Sequence, residues 1–391
     1  IGAMVDFVEV APDNAPLIAK MAEPATRIVS LTVTEGGYYV DATTGTFDPT
    51  HPDIVADGAA PEAPRTVFGA IVAALRARRD AGLAPFTVMS CDNIPGNGHV
   101  TRDAVAGTAR LQDPEFADWI VANVAFPNGM VDRITPATGD GERALAASFG
   151  LEDPVPVTCE PFRQWVLEDN FPQGRPALEK VGVTFTDRVH DYERMKIRIL
   201  NGGHAIIAYA GALLGCEFAD DAMAHPLVSA FLRKVETTEI LPHVHAVPDF
   251  TPAEYLTLIE GRFANPAVKD TIRRLCLDGS NRQPKFIVPS IADGLRAGVP
   301  VTGLALESAL WCRYAFGTFE DGTAIAPNDP NWDALTALAA EAKDQPELWL
   351  GQRAVYGEIA GNAEFAGLFA DWLRLIWAEG AEAAIKIYLD A

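Results

Sequence analysis

The sequence has few positive charges and no long hydrophobic run. Lys and Arg total 31 against 53 Asp and Glu, which gives a net charge of −22. This balance disfavours binding to nucleic acid or to an anionic membrane through general charge. The longest apolar run covers residues 205–216, well short of the roughly 20 residues that span a bilayer. We therefore expect neither a nucleic-acid partner nor a membrane segment.

Cysteine is also scarce, with five residues in 391. They are Cys91, Cys159, Cys216, Cys276 and Cys312. An odd, scattered set without a CxxC pair excludes a disulfide framework and a structural zinc site. His243 and His245 form the only close histidine pair and have no Asp, Glu or Cys at ligand spacing nearby. We expect no metal, and we expect most of the cysteines to be small buried hydrophobes in a cytoplasmic protein.

The chain is too long for one compact core and is expected to form two domains. In the first part, predicted strands at residues 27–33, 86–90 and 121–126 alternate with predicted helices at 16–22, 66–80 and 101–111. Such alternation is typical of a mainly parallel α/β sheet. Beyond residue 216 the pattern is helical, with helices predicted at 219–237, 252–263, 266–277, 289–297, 302–316, 333–342 and 364–389. The fold class is therefore α/β plus all-α, with domains at 1–187 and 188–391.

Three polar, turn-rich segments follow the predicted strands, at residues 35–37, 92–93 and 128–133. Ligands bind beyond the carboxyl ends of the strands in open parallel sheets. Each segment is also compatible with an ordinary strand-to-helix turn. Their agreement predicts a ligand site at this edge.

One stretch, residues 192–216, places a lysine, an amide and an imidazole on an otherwise apolar predicted helix. At about 100° per residue, with Lys196 at zero, Glu193 falls near ~60°, His204 near ~80° and Asn201 near ~140°. Burial of Lys196 among apolar residues is expected to lower its pKa and to make it a base near neutral pH. Asn201 can donate to an oxygen that gains charge, and His204 can hold a hydroxyl.

Each of these residues can also be explained without a catalytic role. Lys196 could extend to the surface, Asn201 could cap a helix, and His204 could be a satisfied core histidine. The pair Gly202-Gly203 would cost about 1 kcal/mol per glycine in a plain helix. Close approach of a ligand is one reason for keeping it.

A group of basic residues, Arg274, Arg282 and Lys285, lies at or near a predicted loop at residues 276–286. In an acidic protein such a group can anchor polar or anionic parts of a ligand. A solvated loop between basic helix ends is the alternative.

The spacing Lys196-x4-Asn201-x2-His204 resembles the signature of the polyol-specific long-chain dehydrogenases and reductases, in their mannitol 2-dehydrogenase branch. The resemblance extends to TEGGY at 34–38, TVMSCDN at 87–93, FPN with MVDRITP at 126–136, and CEPF with QWVLED at 159–169. It covers residues 1 to about 214 closely and is thinner beyond. It implies a Rossmann-like domain followed by a mostly α-helical domain.

The resemblance implies metal-free hydride transfer between D-mannitol and D-fructose, with Lys196 as the general base. Asn93 and Asn201 would stabilise the alkoxide, His204 would position the substrate, and Glu193 would stand near the proton route. Asp132 and Arg274 match substrate-contacting positions. Arg282 replaces an expected lysine, which weakens the expected contact with distal hydroxyls.

The implied cofactor is NAD, with NADP not excluded, and Glu35, Asn93 and Lys196 are expected to contact it. The family opens with a fingerprint of the form GxGxFHRAHQ that this chain does not match, and the family pattern places it upstream of Ile1. Because that segment holds the pyrophosphate, we expect the chain as given to bind the dinucleotide poorly.

Other activities stay open from the sequence. A fructuronate reductase, an arabinitol dehydrogenase or a sorbitol dehydrogenase would share the signature. A non-catalytic sugar-binding protein is an alternative of another class. A zinc alcohol dehydrogenase is disfavoured by the missing ligand spacing. The subunit number is open, and a monomer is included.

Overall fold

The computed structural model describes residues 4–10, 12–41, 44–135, 137–153 and 155–391, which form two compact units. The first unit comprises Ile1–Arg133 and Glu160–Tyr192, and the second comprises Ile134–Cys159 and Glu193–Ala391. The predicted domain boundary after residue 187 stays a prediction. Among the described helices, none is long and apolar enough to cross a membrane.

The first unit contains short strands in two sheets. Strands β1 (Ile28–Leu31) and β2 (Thr87–Ser90) pair in parallel, with Leu31 opposite Ser90. Strands β3 (Gly129–Asp132), β4 (Gln164–Leu167) and β5 (Val183–Phe185) form a second sheet, antiparallel between β3 and β4 and parallel between β4 and β5. The mainly parallel sheet that the sequence predicts is confirmed. The segment 128–133, predicted as a loop, is largely strand β3.

Helices cover the core of this unit. They span Ala15–Ala22, Pro52–Ala59, Val67–Asp80, Asn97–Gln112 and Pro114–Asn123, and 3-10 turns span Glu35–Tyr38 and Leu178–Val181. Buried apolar residues of β1, β2 and these helices form one cluster that includes Phe68, Ile71, Val88 and Phe116. The sheet edge is therefore carried by a rigid support.

The predicted strand at 121–126 is wrong. The Asp113 side chain accepts a hydrogen bond from the Phe116 N–H, and Pro114 occupies the first helical turn. These two signals start a helix that continues to Asn123. The extended segment begins only afterwards, where the Val88 N–H donates to the Ala125 carbonyl at 3.0 Å.

The second unit is helical, as predicted. Its α-helices span Asp140–Ser148, Gly202–Leu213, Ala219–Ala224, Pro226–Val235, Pro252–Phe263, Ile272–Leu275, Gly279–Phe286, Val288–Ala297, Thr302–Ala315, Trp332–Ala342, Glu347–Leu350, Arg353–Tyr356, Ala363–Glu379 and Ala381–Asp390. Helix Thr302–Ala315 is buried along its whole length beyond Thr302. It packs against Ala363–Glu379 and against Gly202–Leu213. The fold class predicted from the sequence is confirmed.

Several predicted helix boundaries in this unit are wrong for local reasons. Pro226 begins a new helix inside the predicted helix 219–237, because proline favours the first turn and breaks an interior. Gly380, at φ +91°, divides the predicted helix 364–389. Of the predicted helix 266–277 only Ile272–Leu275 forms, after Lys269 at φ +52°.

Candidate active site

The predicted catalytic residues lie on a helix that changes its type at Lys196. An α-helix, Val189–Met195, is followed by a π-helix, Lys196–Asn201, and then by the α-helix Gly202–Leu213. The Gly202 N–H donates to the Ile197 carbonyl, five residues back. The predicted uninterrupted α-helix over 192–216 is therefore wrong at residues 196–201. Such single π turns occur frequently at functional sites.

The π turn changes which side chains share a face. In an α-helix, a residue five positions on is displaced by about 140°, whereas one four positions on is displaced by only about 40°. Because a π turn takes in one extra residue, Asn201 occupies the place that a residue four positions after Lys196 would have in an α-helix. The turn therefore brings the lysine and the amide onto the same face, which the α-helical projection of the sequence does not.

Lys196 and Glu193 are both buried, with exposed fractions of 6% and 7%. The predicted burial of the lysine is confirmed. A buried ammonium is costly to keep unless it is paired or hydrogen-bonded, so a lysine in this place favours a chemical role over extension to the surface.

Asn201 has hydrogen-bonding capacity that the described residues do not use. Its Oδ1 atom is buried, and no described group donates to it. Leaving a buried acceptor unsatisfied costs about 1–3 kcal/mol, so such a group calls for an explanation. A substrate hydroxyl is a suitable partner, and the amide nitrogen of the same side chain is a donor for an oxygen that gains charge.

His204 follows in the next helical turn and stacks on Phe263. The ring centroids are 4.1 Å apart and the planes differ by 21°. Burial lowers the pKa of His204 well below 6.5, and the positive charges of Arg274, Arg262 and Arg282 lower it further. The imidazole is therefore neutral near pH 7, with one nitrogen that donates and one that accepts.

A small pocket lies beside this ring, within the second unit. Its polar lining includes His204, Asp220, Arg262, Asn265 and Asp270. Of these, the sequence patterns pointed only to His204 and not to Asp220, Arg262, Asn265 or Asp270. Only Asp270 left a signal, because it stands four residues before Arg274 and can pair with it along a helix.

Gly203 has an explanation that the sequence analysis did not give. A Cβ at Gly203 would lie 3.2 Å from the Phe263 ring and 3.3 Å from Oε1 of Glu236. A Cβ at Gly202 would lie 3.5 Å from the Phe286 carbonyl oxygen, an ordinary van der Waals distance, so only Gly203 is explained in this way. The expected close approach is therefore to the protein's own groups, rather than to a ligand.

The basic group at 274–285 differs from its prediction. Residues Gly279–Phe286 form a helix, not a loop. The Nε and Nη2 atoms of Arg274 both donate to the Asp270 carboxylate. Arg282 donates to the backbone carbonyls of Arg274 and Leu275, at 3.3 and 3.1 Å. Two of the three cations are thus already bound within the protein, while Lys285 is exposed.

In the first unit, Asp92 joins the segments that follow β1 and β2. Its carboxylate accepts hydrogen bonds from the N–H groups of Val33 and Thr34, both at 2.9 Å, and from the Tyr38 hydroxyl at 2.6 Å. Asn93, which follows, is exposed. Asp132 is buried at the end of β3. Asn93 and Asp132 belong to the first unit, and the other predicted catalytic and substrate residues belong to the second.

The backbone of this edge fits a dinucleotide. Thr34 has φ +65° and ψ 167°, a region that a β-branched residue rarely adopts and that clusters at ligand sites. Gly36 faces open space, since a Cβ there would meet nothing within 4 Å. Both lie beyond the carboxyl end of a parallel strand, where nucleotides bind in such sheets. The side chain of Glu35 lies outside the part that the structure describes, so its predicted cofactor contact stays a prediction.

Comparison with known proteins adds the following. A family model described as the mannitol dehydrogenase Rossmann domain matches residues 1–180, and one described as the mannitol dehydrogenase C-terminal domain matches residues 188–377. A mannitol 2-dehydrogenase of Cereibacter sphaeroides is 66% identical over 391 residues, covering 100% of this chain and 82% of the relative. Another, from Phaeosphaeria nodorum, is 44% identical over 394 residues, covering 99% of this chain and 69% of the relative.

Two solved structures are similar over most of the chain. The Pseudomonas fluorescens mannitol 2-dehydrogenase, in a ternary complex with NAD and D-mannitol, is 42% identical with a TM-score of 0.83, and the match covers 96% of this chain and 76% of that one. A substrate-free D-sorbitol dehydrogenase is 37% identical with a TM-score of 0.85, covering 94% and 76%.

Proposed function

Because the chain belongs to the mannitol dehydrogenase family, we propose that it is an NAD-dependent mannitol 2-dehydrogenase that interconverts D-mannitol and D-fructose. The observation that carries the proposal is the 66% identity, over the whole chain, to a mannitol 2-dehydrogenase. The family resemblance read from the sequence motifs is confirmed, and the chain is an NAD-dependent oxidoreductase.

The residues of the helical segment 189–213 suit the chemistry of this reaction. Bound NAD supplies the acceptor for the hydride in oxidation, and its reduced form supplies the hydride in reduction. We assign Lys196 the proton of the reacting hydroxyl, which it accepts in oxidation and returns in reduction. The burial of this side chain and its position on the same face as Asn201 support the assignment.

The amides of Asn201 and Asn93 are assigned to the oxygen on which negative charge develops. One such donor typically contributes about 3–4 kcal/mol to the stabilisation of a transition state. Neutral His204 is assigned to an adjacent hydroxyl, and Glu193 to the route by which the Lys196 proton exchanges. Asp132, Arg274 and Arg282 are proposed to contact the remaining hydroxyls. For cofactor contacts we propose Glu35, Asn93 and Lys196.

The internal bonds of the basic group favour a neutral polyol over a sugar acid. A fructuronate reductase needs a cation for the substrate carboxylate. Arg274 is bound to Asp270, and Arg282 is bound to two backbone carbonyls. A D-sorbitol dehydrogenase is the second candidate, supported by the TM-score of 0.85 to the solved enzyme of that activity.

One spectrophotometric assay separates these activities. The purified protein is given D-mannitol, D-sorbitol or D-arabinitol with NAD or NADP, and fructose or fructuronate with NADH, while absorbance of the reduced cofactor is followed. We expect the highest kcat/KM for D-mannitol with NAD, unchanged after treatment with a chelator. A higher kcat/KM for sorbitol, or for fructuronate in the reverse direction, would replace the proposal with that activity.

Location and subunit number belong to the proposal as well. A cytoplasmic location is supported by five cysteines that are all free thiols, as is usual in a reducing compartment. The subunit number stays open, and a monomer is one of the states to be tested. Cell fractionation and light scattering with size-exclusion chromatography test the two statements.

A further inference from the structure

Glu236 is a buried carboxyl group that the proposed mechanism does not use. It is 0% exposed, and neither of its carboxyl oxygens has a hydrogen-bond partner among the described residues. Burial raises the pKa of Glu236 well above 4.5, and the negative charge of Glu260 raises it further. An ionised carboxylate without partners is very costly to bury, so this environment favours the uncharged acid.

Glu236 lies next to the helical segment that carries Lys196, Asn201 and His204. It is the first residue of a second π turn, Glu236–Ile240, which packs against the Lys196–Asn201 turn. Its Oε1 atom lies 3.3 Å from the place where a Cβ of Gly203 would stand. Gly203 lies between Asn201 and His204 in the chain. The carboxyl group therefore lies beside the backbone segment that carries both of these side chains.

Among the residues that the structure describes, no cation is hydrogen-bonded to the Glu236 carboxyl. The charged and titratable groups on the elements packed around Glu236 have other partners or positions. Glu260 forms an ion pair with Arg233, and Arg198 forms one with Asp293. Lys234 donates hydrogen bonds to the backbone carbonyls of Tyr388 and Leu389. His243 lies at the end of the next 3-10 turn, beside Gly294. Within the described part of the chain, none of them, and not Lys196, forms a hydrogen bond with the Glu236 carboxyl.

We propose that Glu236 is a positioning residue that supports the Lys196–Asn201 turn as an uncharged carboxylic acid, and that loss of its proton disables the turn at alkaline pH. An anion at this place must draw in water or move away from the Gly203 backbone. Either response shifts Asn201 and His204. The inference rests on the proposed function, because turnover is its main readout.

Polyol oxidation is the direction that isolates this effect. There, loss of the Lys196 proton increases the rate with rising pH, so Lys196 does not produce an alkaline decline. We expect the wild-type kcat for D-mannitol oxidation to fall by about tenfold per pH unit on the alkaline side. In Glu236→Gln, which keeps the shape without a titrating group, we expect kcat near pH 7 within about twofold of wild type and no alkaline decline.

Two further variants make the result decisive. Glu236→Met, an uncharged replacement that suits an apolar site, replaces Glu236→Gln if the amide variant does not fold. Glu307→Gln is the matched control, because Glu307 is also fully buried and burial raises its pKa to about 8. We expect Glu307→Gln to keep the alkaline decline. A decline that persists in the folded Glu236 variant, or that disappears in Glu307→Gln as well, overturns the proposal.

Thermal unfolding tests the protonation state without turnover. A carboxyl whose folded pKa is raised loses its stabilising contribution as pH rises from about 4.5 towards the folded pKa. The melting temperature of Glu236→Gln minus that of wild type must therefore increase with pH. A constant difference overturns the inference. A wild-type protein inactive on polyols at every pH would contradict the proposed function instead, and the melting comparison would then decide this inference.

Discussion

The imidazole of His204 lies nearly parallel to the ring of Phe263, with 4.1 Å between their centroids. The same Phe263 ring would lie 3.2 Å from a Cβ at Gly203. The aromatic ring thus fixes the orientation of the histidine and restricts the residue before it. The role proposed for His204 depends on this support as much as on its own side chain.

Replacing the aromatic support should separate packing from chemistry. Phe263→Leu removes the stacking surface while keeping an apolar side chain, and we expect a loss of about 1–1.5 kcal/mol in the free energy of unfolding. Because His204 is then free to rotate, KM for D-mannitol should rise more than kcat falls. Denaturant unfolding and steady-state kinetics measure the two effects. Unchanged KM in the folded variant would contradict the role of the stack.

A methyl group at Gly203 should be tolerated poorly. Gly203→Ala places it 3.2–3.4 Å from Phe263, Glu236 and Leu232, and overpacking of this kind outweighs the gain in helix propensity. We expect a net loss of about 1 kcal/mol and a lower kcat. Gly261→Ala is the control, since nothing lies within 4 Å of its Cβ position. It should increase stability by about 0.5–1 kcal/mol. Equal effects at both positions would refute the packing argument.

Acidification should reveal the lowered pKa of His204. The folded pKa of His204 lies below 6.5, so the unfolded state binds its proton first. The contribution to stability is complete above about pH 6.5 and is lost as pH falls through the folded pKa. When the pH is lowered from about 7.5 to 5, the melting temperature of the wild type should therefore fall further than that of His204→Gln. Parallel losses would show that His204 titrates normally.

Asp92 should support the nucleotide edge of the first unit. Asp92→Asn weakens the bonds to the N–H groups of Val33 and Thr34, and we expect about 1–3 kcal/mol less stability together with weaker NAD binding by calorimetry. Asp113→Asn is the control, because asparagine caps a helix about as well as aspartate. It should leave NAD binding unchanged. A loss of NAD affinity in the control, or none in Asp92→Asn, would contradict this assignment.

The sequence was sufficient for those features that depend on local patterns. The β-branched run around Val29 predicted strand β1, and the motif with Lys196, Asn201 and His204 predicted the family. That these three residues carry the chemistry stays a prediction. Apolar spacing also predicted the helix Pro252–Phe263 at its observed bounds. These signals are carried by residues close together in the chain.

Other features depend on contacts between distant residues, which the sequence does not display. The helix Gly279–Phe286 contains Asn, Gln and Pro and was predicted as a loop. It forms because Asp329 accepts hydrogen bonds from the Ser280 N–H and hydroxyl, both at 2.8 Å. The π turn has no distinct residue pattern, and Glu236 has the sequence context of a surface residue. Only tertiary packing determines that it is buried.

The central claim is that Lys196 is the general base, and Lys196→Ala tests it most directly. The measurement is kcat for D-mannitol oxidation at saturating mannitol and NAD, with circular dichroism to verify folding and Lys180→Ala, at an exposed lysine, as control. We predict that kcat falls by about 10²- to 10⁴-fold, that added methylamine restores part of it, and that the control is unchanged. A folded Lys196→Ala protein that keeps most of the wild-type turnover would contradict the account.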